Sequence, residues 1–166
     1  MAKTVRYLEM TSPEDLRPAP VVPALGLLRV DRSSPLVRST QAQVGEAYGW
    51  RSATCSASEW EADLRAHPLR QYWLITHGQE PAGVAYLEPE PGGAVEITAF
   101  GLLPGHLGKR LGGYALTLAL QQAWATEPLD ADAPGRVWLH TCSTDHPHAL
   151  HNYQRRGMRL YRTEVQ

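Results

Sequence analysis

Glu96-Ile-Thr-Ala-Phe-Gly-Leu-Leu-Pro-Gly-His-Leu-Gly-Lys-Arg-Leu-Gly-Gly113 runs from an alternating apolar stretch through a glycine-rich turn into a long apolar segment. That order of strand, turn and helix builds a pocket for an anion. Gly108, Gly112 and Gly113 let the backbone turn tightly, and the first N–H groups of the helix, which have no intrahelical acceptor, point outward at one spot. The helix dipole adds partial positive charge there, and Lys109 and Arg110 set cationic side chains beside it. A phosphate or pyrophosphate suits such a turn. Two common phosphate loops do not match it. A P-loop requires G-x-x-x-x-G-K-[ST], whereas Lys109 precedes the closing glycines and no Ser or Thr follows it. A dinucleotide fingerprint requires G-x-G-x-x-G inside a βαβ unit, and this turn has no G-x-G and follows a strand that itself follows a strand.

Working outward, Gln71–His77, 82–88 and 95–103 read as three strands joined by the short turns 78–81 and 89–93. Short connections between neighbours imply an antiparallel meander. Alternation along the third strand puts Ala94, Glu96, Thr98 and Phe100 on one face and Val95, Ile97 and Ala99 on the other. The helix over 111–124 is apolar nearly all round and is expected to be buried on most sides. Upstream, Pro35 starts a helix with Val37, Thr40, Val44, Ala47 and Tyr48 on one face, and Ser56 with Glu59 forms a capping box that opens a second. A strand is expected at 24–30. Residues 1–23, crowded with Pro13, Pro18, Pro20 and Pro23, read as an N-terminal extension with one short helical turn after Ser12, leaving 24–166 as the single domain.

Downstream lies Arg136-Val-Trp-Leu-His-Thr-Cys-Ser-Thr-Asp-His-Pro-His-Ala-Leu-His-Asn-Tyr-Gln-Arg-Arg-Gly-Met158. It reads as a strand over 136–142, a polar turn, and a short helix started by Pro147 and stopped by Gly157, with a last strand near 158–163.

These two stretches resemble motifs A and B of the Gcn5-related N-acetyltransferase (GNAT) superfamily. Motif A follows a strand with R/Q-x-x-G-x-G/A. Here that window is Leu107-Gly-Lys-Arg-Leu-Gly112, with Leu107 in place of Arg or Gln and Arg110 in place of the middle Gly. Motif B contains Asn-Tyr-x-x-x-Gly-Phe, matched by Asn152, Tyr153, Gly157 and, in place of Phe, Met158. The resemblance covers 92–163 and implies an α+β fold: a mixed, mostly antiparallel sheet flanked by about four helices in the order β-α-α-β-β-β-α-β-α-β. It also implies acetyl-CoA as co-substrate, lying in a V between two strands. Its pantetheine would lie along Gly101, Leu102 and Leu103, and its pyrophosphate at Gly108, Lys109, Arg110, Leu111, Gly112 and Gly113, with Asn152 hydrogen-bonding to it.

Tyr153 is the candidate general acid: a phenol with a pKa of about 10 keeps its proton at neutral pH and can deliver it to a departing thiolate. The alternative for Tyr153 is a core tyrosine with its hydroxyl at the rim. Glu96 is the candidate base, a carboxylate in a central strand eleven residues before Leu107, the spacing at which histone-acetylating relatives carry theirs. Its alternative is an ion pair with a nearby Arg or Lys. Tyr48, Trp50 and Arg51, with Trp73 and Tyr86, are candidates for the acceptor side or for core. His140, Cys142, Asp145, His146, His148 and His151 crowd together, but Pro147 interrupts them and no H-x3-H pair shares one element, so no metal is expected.

Composition agrees with an ordinary globular domain. The 166 residues include 16 basic and 17 acidic, without a basic stripe, which argues against nucleic acid as a partner. No 18-residue apolar run or signal-peptide pattern appears, so a cytoplasmic protein without a membrane partner is expected. Cys55 and Cys142 lack metal-type spacing and are expected as thiols. The reading is an N-acetyltransferase that moves acetyl from acetyl-CoA to an amine of a small molecule or protein, in a protein that could form homodimers. The alternative is an acyl-CoA-binding sensor that does no chemistry.

Overall fold

The computed structural model describes residues 2–166. Seven strands and four helices follow the chain: β1 (Thr4–Met10), β2 (Leu25–Val30), α1 (Pro35–Gly45), α2 (Ala57–Ala66), β3 (Gln71–His77), β4 (Glu80–Glu90), β5 (Ala94–Leu102), α3 (Gly112–Trp124), β6 (Arg136–Cys142), α4 (Ala149–Arg155) and β7 (Arg159–Val165). The strands form one sheet ordered β2-β3-β4-β5-β6-β1-β7. Every pairing is antiparallel except β5 with β6. This is the expected α+β class with a mixed sheet.

Local signals act as their chemistry dictates. Ser34 accepts from Leu36 N at the start of α1 with Pro35 in the first turn, and Ser56 and Glu59 close the reciprocal capping box on α2. Ser12 caps a single 3-10 turn over Pro13–Asp15. α3 buries Ala115, Leu116, Ala119, Leu120 and Ala123 against one face of the sheet, joined there by Leu87, Val95, Ile97, Val137 and Leu139. α1 and α2 cover the other face through Val37, Val44, Trp60 and Leu64, which meet Leu74, Val84, Tyr86 and Ala99.

Two expectations are corrected. Of the stretch 1–23 expected as an extension, the described residues belong to the domain: β1 lies inside the sheet, hydrogen-bonded to β6 on one side and β7 on the other. Leu8 is fully buried and Met10 nearly so, both in the α3-side core. The stretch that follows β1 is also packed, with Leu16 against that core and Ala19 N donating to Thr117 Oγ1 of α3 at 3.0 Å.

The second correction concerns β5. Its pairing with β4 shifts register, Tyr86 opposing Ala99 while Leu87 opposes Ile97, so Thr98 is the extra residue of a bulge. A one-residue insertion exchanges the faces beyond it. Ile97 packs on the α3 side, Ala99 on the α1 side, and Phe100 returns to the α3 side, opposite to what strict alternation gave.

Candidate active site

β5 and β6 are hydrogen-bonded only at Ala94–Arg136, Val95–Val137 and Glu96–Trp138. Beyond those rungs β5 stays paired to β4 and β6 to β1, so the two strands part and a V opens between them. A cavity of about 860 Å³ occupies this opening. Phe100, Gly101 and Leu102 form one wall, Tyr153 and Asn152 of α4 another, and the turn from Leu107 to Gly113 closes one end. Gly101 has to be glycine, since a Cβ there would stand 2.6 Å from Val44 Cγ1.

The turn leaves several backbone donors free. Gly108 and Arg110 both take left-handed backbone, φ 72° and 60°, which a glycine accepts freely and an arginine does not. α3 begins without a side-chain cap. Among the described residues, no acceptor takes the backbone N–H groups of 108–113. Left-over donors at a helix N-terminus suit a phosphate. Arg110, Leu111, Gly112 and Gly113 line the cavity, whereas Lys109 is exposed outside its lining. Leu103 is also outside it, its N–H committed to Ala82 O at 2.7 Å. Asn152 spends its amide nitrogen on Gly112 O, 3.1 Å away, bracing α4 against the start of α3.

Tyr153 is buried in the α3-side core, edge-on to Phe100 with ring centroids 6.3 Å apart, and also lines the cavity. Burial raises its pKa well above the ordinary phenol value, and the charge of Asp145 pushes in the same direction. The hydroxyl therefore stays protonated at any physiological pH.

Glu96 is not in the cavity lining. It stands at the last rung where β5 and β6 still pair, on the face opposite Val95 and Ile97. Burial raises its pKa from 4.5 to about 7, with the charge of Glu90 adding to this, Arg70 opposing it and Glu88 adding again. Arg70 is already bonded to Glu88 at 2.8 Å, and Glu90 accepts from Trp138 Nε1 at 2.6 Å. His140 Nδ1 is 3.7 Å from Glu96 Oε2, beyond hydrogen-bond length. The ion pair with Arg or Lys that would have made Glu96 purely structural is absent among the described residues.

Asp145 joins two segments of the cavity rim, which its place among the histidines did not suggest. It accepts from Trp50 Nε1 (3.0 Å), Thr141 Oγ1 (2.8 Å) and Cys142 N (2.9 Å). These bonds fasten the segment between α1 and α2 to the turn before α4, with Tyr48 packed edge-on to His146. Of the aromatic candidates, Tyr48 and Trp50 line the cavity. Tyr86 is core, its hydroxyl donating to Val37 O, while Trp73 packs beneath Arg29 and Arg51 pairs with Glu59 on the surface. Among the described residues no three His, Cys, Asp or Glu side chains converge as metal ligands, and both cysteines are free. Among the described residues no helix is long and apolar enough to cross a membrane.

The sequence profile of the Acetyltransferase (GNAT) family matches residues 38–158. No curated protein matches by sequence. Among solved structures, a GCN5-related N-acetyltransferase from Kribbella flavida is 22% identical with a TM-score of 0.65, over 98% of this chain and 56% of its own. Another from Sphaerobacter thermophilus is 14% identical with a TM-score of 0.69, over 99% of this chain and 50% of its own. A tandem GNAT protein from the clavulanic acid biosynthesis pathway is 16% identical with a TM-score of 0.60, over 99% and 51%. At these identities the likeness is one of fold. The chain spans about half the length of these structures.

Proposed function

Because the chain belongs to the GNAT family of acetyltransferases, we propose that it moves the acetyl group of acetyl-CoA to an amine by direct attack within a ternary complex. The observation that carries this is the V between β5 and β6. One end of its cavity offers unspent N–H donors and Arg110 to a pyrophosphate, and a protonated phenol stands in its wall. A ligand with a diphosphate at one end and an uncharged, extended arm fits such a cavity. Acetyl-CoA supplies an acyl carbon held to sulfur.

The chain's own residues then have three tasks. The 108–113 turn and the edge of β5 at Gly101 and Leu102 hold the ligand's length. Glu96, with a pKa near neutrality, takes a proton from the ammonium form of the acceptor, directly or through a water beside His140. The nitrogen lone pair so released forms the new C–N bond as the C–S bond breaks. Tyr153 then donates its hydroxyl hydrogen to the departing sulfur. With its pKa raised it is a weaker acid than a free phenol, so this donation is a hydrogen bond, and solvent supplies the proton that completes the thiol. Tyr48 and Trp50, fastened by Asp145, shape the acceptor side.

Incubating the protein with acetyl-CoA and a panel of amines, amino acids and peptides, with detection of free CoA thiol, tests the proposal. Amine-dependent thiol release supports it. Tight binding of acetyl-CoA with no turnover on any acceptor would instead favour an acyl-CoA-binding module.

A further inference from the structure

Arg156 follows α4 directly and is only 8% exposed. Its Nε is shut from solvent with no hydrogen-bond partner, and no carboxylate among the described residues pairs with the guanidinium. The group nonetheless lines the cavity at its anion end. Its Nη1 lies 2.7 Å from where a Cβ on Gly113 would stand, so only glycine in the first turn of α3 lets the guanidinium come so close. The backbone beneath it is pinned. Arg17 N donates to Arg156 O at 2.9 Å, and Ala19 closes the far side, 3.2 Å from the same Cβ position.

This placement is unfavourable twice over in the unliganded protein. Arg156 has lost hydration at Nε and gains no hydrogen bond there in return. It also faces the positive end of the α3 dipole, where acidic groups are favoured and cations are not. Burial and the neighbouring Arg155 both push its pKa down, as expected for a charge held against its preference. A phosphate at this spot removes both costs at once, accepting from the fork of the guanidinium and from the first-turn N–H groups of α3.

We propose that Arg156 is a phosphate-binding residue that grips the pyrophosphate of coenzyme A together with the first turn of α3. The proposal rests on the acetyl-CoA reading of the cavity. It makes the end of α4 part of the nucleotide site and has the 17–19 segment after β1 hold that arginine in place.

The test is calorimetric binding of CoA and of dephospho-CoA, which lacks the 3′-phosphate, to the wild type, Arg156→Met and Arg156→Lys. Thermal melting of the ligand-free forms runs alongside. Loss of a charge-assisted contact should weaken both ligands about 10- to 100-fold in Arg156→Met, with a smaller loss in Arg156→Lys. Ligand-free Arg156→Met should melt higher than wild type. Unchanged affinities would overturn the proposal and, with a lowered melting temperature, make Arg156 structural. A loss for CoA but not dephospho-CoA would overturn the pyrophosphate assignment. Failure of the wild type to bind either ligand at millimolar concentration would instead remove the acetyl-CoA reading, and this proposal with it.

Discussion

Replacing Glu96 by Gln separates the proposed base from a structural carboxylate, because stability and rate should move in opposite directions. The substitution keeps the shape of the side chain and removes its ability to ionise. Burial and the charge of Glu90 raise the pKa of Glu96 from 4.5 to about 7, and the side chain is 17% exposed. A raised carboxyl pKa means that the folded protein prefers the neutral form. The stability this group contributes is fully present below pH 4.5 and is lost as pH rises through about 7. At 1.36 kcal/mol per pKa unit, the folded state with Glu96 ionised is disfavoured by about 3 kcal/mol relative to an environment that left the group alone. Glu96→Gln escapes that cost. It should melt together with the wild type near pH 4 and several degrees above it at pH 8 or 9.

Activity should run the other way. Wild-type kcat should climb through pH 7 as Glu96 ionises and becomes able to accept the amine proton. In Glu96→Gln that limb should vanish, with kcat at neutral pH down by about 100- to 10,000-fold and partial recovery at high pH as the amine deprotonates itself. The assays are a pH series of thiol release and of thermal melts on the same two proteins. An unchanged pH–rate limb would retire Glu96 as the base. A Glu96→Gln protein less stable than wild type at pH 8 would refute the electrostatic reasoning, because the carboxylate would then be gaining more from Arg70 and His140 than it loses to burial and to Glu90 and Glu88.

Tyr153→Phe should leave acetyl-CoA affinity nearly intact and lower kcat, by up to about 100-fold where solvent substitutes poorly; the check is single-turnover rate beside calorimetry. Gly112→Asp should abolish CoA binding while circular dichroism shows the fold retained, whereas Gly112→Ala should fold and bind, since a Cβ there would meet Asn152 Nδ2 at an ordinary 3.7 Å. Leu8→Ala should destabilise the whole domain by about 2–5 kcal/mol in urea unfolding, because Leu8 is fully buried in the main core; a negligible change would mean that β1 is dispensable.

Much of the site was legible because its chemistry is local. The glycine turn, the helix it opens, the capping box at Ser56 and the short helix carrying Tyr153 are each specified by a few neighbouring residues. What escaped depends on an irregular burial pattern in β1 and on a bulge in β5. β1 pairs with β6 without interruption, and the extra residue of its pairing with β7 is Tyr161, so Leu8 and Met10 are buried on one face and Val5 on the other, which hides the period of two. Arg6 and Glu9 then look like a polar segment ahead of the prolines. In β5 the extra Thr98 moves Phe100 to the other face. A bulge costs one residue and leaves no composition signal. Asp145 and Arg156 were missed for a different reason: their partners, Trp50 and the first turn of α3, lie far away in sequence.

The bulge in β5 and the pairing of β1 also explain how a single sheet presents a carboxylate on one face and a cavity wall on the other. Before Thr98, β5 is held to β6, and Glu96 projects from the face opposite Ile97, beside Trp138 and His140. After Thr98, β5 follows β4 alone, and Phe100 packs toward α3 and Tyr153 around the cavity. The carboxylate and the cofactor wall therefore belong to one strand yet to opposite faces, separated by the residue that shifts the phase. The open V would leave β6 unpaired over 139–142, and an unpaired strand segment beside a cavity is a weak support for Asp145 and α4. β1 removes that weakness by pairing with β6 along Leu139–Cys142, so that the turn carrying Asp145 starts from a strand fixed on its far side. β1 therefore supports the cavity as much as the sheet, and cutting the chain before β2 should loosen Tyr153 and Trp50 together, seen as faster amide hydrogen exchange around both; unchanged exchange would refute this.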